Sequence, residues 1–291
     1  MTHPSTPEKT MEQGNGNPNG IAYNHEEDRQ GDLDRFRTAG SVAMSPELFE
    51  KLYLTPLKNV HGDLRKTFAN PTPIALVGFL IALTPLSCDL MGWAGAGGGG
   101  AASSGFFVFM GGLLMFTGGV LEWVLGNTFA SVVFCTFGGF YFSYGATLLP
   151  SFNTSAAYAP ADGPASAGAA TQGFNASLAF VFLFMGVLCF IFLVCSLRTN
   201  VVFVVIFLSL MLAFFLLTGG YMALASDFTG NADKAGKLII GGGASAFVCA
   251  MTGWYLLTAQ MLDVVDFPFG LPVGDLSGII KGRSERAAAK N

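Results

Sequence analysis

Polar and charged residues crowd the first 45 positions, whereas from about position 70 the chain alternates long apolar blocks with short polar interruptions. Six blocks stand out, at 74–90, 106–125, 128–149, 178–197, 201–225 and 238–262. Each runs to about twenty residues, the length a helix needs to cross about 30 Å of hydrocarbon. The blocks are continuously apolar. Lipid offers no partner to an unpaired backbone group, and a barrel would require alternating strands of about ten residues, so the pattern predicts helices. The first block reaches full length only if it starts at the prolines, giving 70–90. The predicted fold class is therefore all-α: a polytopic membrane protein with six transmembrane helices within residues 70–265.

Composition sharpens this picture. Of 291 residues, 52% are hydrophobic and 12% charged, against about 25% charged in soluble domains. Only Asp89 and Glu122 carry charge inside the six blocks. Residues 1–44 have too few apolar groups to pack and predict a disordered tail, with no apolar run of the kind a cleavable signal requires. Residues 45–69 predict an interfacial segment: Ser45 suits an N-cap, Pro46 the first helical position, and Leu48, Phe49 and Leu52 share a face. Residues 266–291 are expected to form a cytoplasmic C-terminal tail.

The basic residues orient the spans. Lys58, Arg65 and Lys66 precede the first block, Arg198 lies in the turn between the fourth and fifth, and Lys281, Arg283, Arg286 and Lys290 follow the sixth. The one-to-two and three-to-four loops have no Lys or Arg, although Lys234 and Lys237 break the pattern between blocks five and six. The majority places both termini in the cytoplasm. Two N-x-[ST] sequons, at Asn153 and Asn175, then fall in the outer three-to-four loop.

Several chemistries are disfavoured. His3, His25 and His61 all precede the first span, which leaves no paired-histidine ammonium path, imidazole metal site or Ser/His dyad within the bilayer. No span holds a carboxylate pair. All five cysteines lie inside apolar blocks without metal-ligand spacing, and read as small packing residues. An enzyme, a cofactor, a metal site and a nucleic-acid partner are not expected; a pore or carrier for a small solute remains. Glycines recurring at two-turn intervals in spans two, three and six predict close helix packing. The connection "GN" at Gly126 and Asn127 makes spans two and three a hairpin.

Two features point to a pathway. Glu122, in "GGVLEWVLGNTF", lies about one turn from the end of span two. Intramembrane carboxylates are costly, so it reads either as a proton acceptor or pathway anchor, or as an interfacial residue bonded to Asn127, Thr128 or nearby backbone. In "NPTPIALVGFL", Asn70 suits an N-cap and Pro71 and Pro73 lose no helical hydrogen bond in the first turn. The same four residues, Asn70, Pro71, Thr72 and Pro73, also predict a helix mouth whose free amides favour an anion. Pro85 removes the usual donor for the carbonyl of Ile81. The aromatic stripe Phe137, Tyr141, Tyr144, at i, i+4, i+7, reads on its own as core or lipid face before a functional lining.

Taken in order, "FANPTPIALVGF", "GGLLMFTGGVLEWVLGNTF" and "TFGGFYFSYG" resemble the acetate uptake transporter family, which includes bacterial succinate–acetate permeases and fungal acetate permeases. The likeness runs from about residue 68 to 262. It implies a six-helix protomer in a homohexamer, multi-pass in the plasma membrane. It further implies movement of acetate or a related short carboxylate, commonly with protons. On matching positions, the resemblance places Asn70–Pro73 beside the substrate path. It assigns a hydrophobic constriction to Phe79, Phe137 and Leu210, and the span-two carboxylate to Glu122. Two departures make the path more apolar: Met115 stands where the family pattern has glutamine, and Phe137 where it has tyrosine. Three functions follow as expectations: a proton-coupled monocarboxylate permease, a passive anion channel, and a non-transporting hexameric acid sensor or scaffold. Ammonia export ranks last.

Overall fold

The computed structural model describes residues 68–276, 278–280 and 286. The tail at 1–44 and the interfacial segment at 45–69 fall outside these, apart from Phe68 and Ala69. Six long apolar helices account for the six blocks: α1 (Thr72–Met91), α2 (Gly98–Val124), α3 (Thr128–Leu148), α4 (Gln172–Ser196), α5 (Val201–Ser226) and α6 (Ala232–Val264). Their outer faces carry large apolar side chains such as Phe109, Trp123, Phe184 and Phe190, each more than half exposed. In water such a surface would drive aggregation; in a bilayer it is the solvated face.

Each helix boundary has a local cause. The Asn70 side chain accepts from the Thr72 amide at 2.9 Å, so α1 begins one residue later than a plain Asn70 cap implies, with Pro71 as its boundary residue. α1 continues through Pro85 and ends at Gly92 in the left-handed conformation, a position glycine occupies without a Cβ penalty. Thr171 caps α4 and Asn200 caps α5, each accepting from the amide three residues on. After α5, the Gly230 amide beside the exposed Asp227 holds that carboxyl below the usual carboxylate range.

Neighbours follow one another around a ring: α4 packs on α5, α5 on α6, α6 on α1, α1 on α2 and α2 on α3. Aromatic contacts close it, with Phe129 and Phe137 of α3 each about 6 Å from the Phe192 ring of α4. The contacts between neighbours depend on glycine. A Cβ on Gly118 would lie 2.7 Å from that of Ala75, and one on Gly138 2.7 Å from the Phe116 amide nitrogen. Such approach supplies the van der Waals contact that drives association in lipid.

Four features differ from the sequence expectation. α2 has a π-helical stretch at Phe107–Leu114, where Gly111 abuts Tyr141 and Ala82. α6 starts six residues early because Asp233 suits its first turn and bonds Lys237 at 2.7 Å on an exposed face. The two lysines that break the charge pattern are thus helical. Asn175 lies in the first turn of α4, buried, donating to the carbonyls of Ala169 and Thr171, so of the two sequons only Asn153 is exposed. Finally, part of the C-terminal segment is packed. The Val201 amide donates to Gly274 at 2.8 Å, the Leu276 amide to Thr199 at 3.0 Å, and Val273 is buried.

The glycine contacts give a direct test. Gly118→Val forces α1 and α2 apart and should cost about 1–3 kcal/mol through overpacking. Gly139→Ala, where a Cβ meets nothing within 4 Å, should be neutral. Thermal midpoints of the purified variants in detergent should separate the two.

Candidate functional site

The site divides by depth. One end of the bundle, the turn end, holds the start of α1 and the tight α2–α3 and α4–α5 turns. The other, the loop end, carries the connections at 92–97 and 149–171 and the irregular, glycine-rich start of α2 at Gly98–Ser103.

At the turn end the structure joins two sequence candidates. Glu122 is fully buried and accepts from the Thr72 hydroxyl and from the Asn127 side-chain amide at 2.5 Å. Asn127 also donates its backbone amide to the Glu122 carbonyl at 2.8 Å. Thr72 and Asn127 are themselves buried. The carboxylate therefore ties the mouth of α1 to the α2–α3 turn. It also sits at the N-terminus of α1, where the helix dipole favours negative charge.

This changes the expectation for the helix mouth. Pro71 and Pro73 have no amide hydrogen, the Thr72 amide is taken by Asn70, and the Ile74 amide donates to Pro71 at 3.1 Å. The first turn offers no bare amide to an anion. What faces Glu122 is the Thr72 hydroxyl.

Farther in, Phe79, Phe137 and Leu210 line a single cavity. Phe79 stands seven residues into α1, while Phe137 and Leu210 stand nine residues into α3 and α5. At 1.5 Å per residue all three lie about 10–14 Å from the turn end. All three are at least 95% buried. The structure thus brings the three constriction candidates together at one depth.

From there the cavity, about 590 Å³ including its open mouth, rises toward the loop end. Its walls repeat with helical spacing: Phe79, Leu83, Leu86 and Leu90 on α1, and Leu210, Phe214, Leu217 and Tyr221 on α5. Tyr141, Tyr144, Phe140 and Phe182 complete much of the lining. The aromatics brace one another, with Phe140 edge-on to Phe214 at 5.4 Å and Phe182 tilted against Tyr221 at 5.1 Å. Tyr144 donates to the Gly99 carbonyl at 2.6 Å, fixing the glycine-rich loop beside the vestibule. No Lys or Arg lines it.

The α3 stripe is thereby resolved: Phe137, Tyr141 and Tyr144 face the cavity. Sequence reasoning missed Tyr221 and Phe214, although the α5 spacing carried the signal. Nothing in the sequence pairs Thr72 with Glu122, fifty residues apart. Met115 is buried against the Gly78 side of α1, so an apolar side chain packs at the departure from the family pattern. Among the described residues no group of His, Cys, Asp and Glu could hold a metal ion.

Thr72→Val and Glu122→Gln should each lower the detergent thermal midpoint, by an amount equivalent to about 1–3 kcal/mol for a buried polar group left unsatisfied. Both single variants remove the same Thr72–Glu122 hydrogen bond, which the double variant can lose only once. The combined loss should therefore fall short of the sum.

Comparison with known proteins places this geometry. The sequence profile of the GPR1/FUN34/yaaH family matches residues 56–278. Protein alcS of Aspergillus fumigatus is 46% identical, over 91% of this chain and 96% of its own. Acetate permease A of Emericella nidulans is 30% identical, over 76% of this chain and 71% of its own. Ammonia transport outward protein 2 of Saccharomyces cerevisiae is 31% identical, over 72% of this chain and 68% of its own. Among solved structures, the bacterial acetate channel SatP superposes with a TM-score of 0.56 at 26% identity. That match covers 71% of this chain and 99% of SatP.

Proposed function

We propose that this chain, which belongs to the GPR1/FUN34/yaaH family, is a membrane permease that moves acetate or another short monocarboxylate as the protonated acid. The observation that carries this reading is the cavity itself: it has buried Phe79, Phe137 and Leu210 at its turn-end side, aromatic and aliphatic walls, and no cationic side chain. An ionised carboxylate entering it would lose hydration without gaining a counter-charge. The neutral acid surrenders far less, and its methyl group matches the walls. An acetate permease and an acetate channel among the similar proteins support the substrate class.

Each step has a residue. Tyr141, Tyr144 and Tyr221 bring hydroxyl groups to the vestibule wall, and the acid then passes Phe79, Phe137 and Leu210. Glu122, held by Thr72 and Asn127, fixes the position of α1 and hence of Phe79, seven residues along. Asn70, Pro71 and Pro73 act with it by setting the helix start; their role is to shape the path rather than to present amides. The remainder of the proposal is a plasma-membrane homohexamer with both termini cytoplasmic, on the charge pattern of the connections. The turn end then faces the cytoplasm, and each protomer has its own path.

In proteoliposomes, labelled acetate uptake should exceed that of protein-free vesicles, follow an inward proton gradient, and ignore a potassium-valinomycin potential. Leu210→Trp should abolish the protein-dependent part. An anion path would instead respond to voltage, by about 2.3 kcal/mol per charge per 100 mV. Such a response would replace the neutral-acid reading with the passive anion channel. Absence of flux for acetate, propionate and butyrate alike would remove the permease reading.

A further inference from the structure

Gln260 lies near the turn end of α6, 3% exposed, and neither its side-chain oxygen nor its side-chain nitrogen has a hydrogen-bond partner. Such a group is costly in an apolar surrounding. The contacts of Gly253 give the helix face on which it lies. A Cβ on Gly253 would meet Leu80 at 2.7 Å and Phe79 at 3.5 Å, so this face of α6 is the one against α1. Seven residues make almost two whole helical turns, which puts Gln260 on the same face, about 10 Å nearer the turn end. The helices are antiparallel, since Gly243 lies against Leu90 and Met91. Descending two turns from Phe79 and Leu80 along α1 reaches Thr72 and Pro73. Gln260 is therefore level with the Thr72–Glu122 pair, on the far side of the Phe79–Phe137–Leu210 neck from the vestibule. The buried Asn200, at the start of α5 at this same end, also has an unpartnered side-chain nitrogen.

We infer that Gln260 is the turn-end binding residue for the carboxyl head of the substrate, and that it selects the protonated form. A carboxamide and a carboxylic acid are complementary: the acid O–H donates to the amide oxygen while the amide N–H donates to the acid carbonyl. This pairing satisfies both vacant atoms of Gln260 at once. A carboxylate has no proton to donate and would leave the Gln260 oxygen facing negative charge. The assignment rests on the monocarboxylate reading above. It adds a second polar station after the apolar neck and requires no charged group.

Acetate efflux from proteoliposomes with the turn end facing the lumen tests this, using Gln260→Leu and Gln260→Met as apolar replacements of similar length. The expected result is a KM for lumenal acetate raised at least tenfold in both variants, with little change in kcat. The wild-type KM, expressed as undissociated acid, should stay constant from pH 5 to pH 7. A thermal midpoint equal to or above wild type should accompany this, because no hydrogen bond is lost; a residue of purely structural role would lower it. Wild-type efflux with unchanged KM in both variants overturns the assignment and leaves the permease reading intact. So does a loss of flux explained by a fall in thermal midpoint. Absence of wild-type flux removes both.

Discussion

A carboxylate without access to water must find hydrogen-bond donors, and Glu122 finds them on two other segments of the chain. Thr72 comes from the mouth of α1 and Asn127 from the α2–α3 turn. Insertion scales put a central intramembrane carboxylate at about 2.5–3.5 kcal/mol. Removing one donor exposes part of that cost, so the three elements are held in one arrangement. The prolines serve the same end. They remove two backbone donors, Asn70 occupies the Thr72 amide, and the Ile74 amide is taken by the Pro71 carbonyl. The position of Phe79 is inherited from this anchor through seven residues of helix.

Much of the fold was legible because the bilayer simplifies the code. Block length gives helix count, and the two-residue "GN" stretch gives the hairpin. Motif likeness gave Phe79, Phe137 and Leu210, which share one cavity. What could not be read depends on relations between distant positions. The Thr72 hydroxyl meets Glu122 only once α1 lies along α2, and Gly118 against Ala75 sets that approach. The helix-mouth amides were misjudged for a related reason. A capping rule states that a first turn has free donors, but two prolines, an Asx-type contact and a tight Ile74–Pro71 bond leave none. The sequon at Asn175, expected in the outer loop, lies instead in the first turn of α4, where its buried side chain donates to two carbonyls of the preceding segment, Ala169 and Thr171.

The glycines and aromatics have complementary roles. Glycine lets α1, α2 and α3 approach until backbone nearly touches side chain, which builds a rigid wall. Across the ring, Phe192, Phe207 and Phe214 of α4 and α5 meet α3 through ring contacts of 5.4–6.2 Å. Bulky rings prevent the close approach seen on the glycine side. The result is a bundle tight along one arc and spaced by rings along the other, with the cavity between them. Helix packing and cavity formation are thus consequences of one distribution of small and large residues.

On the permease reading, this distribution also decides which species can cross. An apolar neck without a cation cannot compensate a bare carboxylate, and widening it would admit water and lose selectivity. Letting the substrate take up a proton before the neck removes the charge at its source. The polar groups then belong at the two sides: tyrosine hydroxyls in the vestibule, and Gln260 level with the anchored Glu122. The neck sets the requirement for neutrality, and a carboxamide beyond it is chemically matched to the neutral acid that emerges. Glu122, with both oxygens already accepting hydrogen bonds, is better suited to holding the frame than to carrying the travelling proton. In this scheme the proton crosses on the substrate.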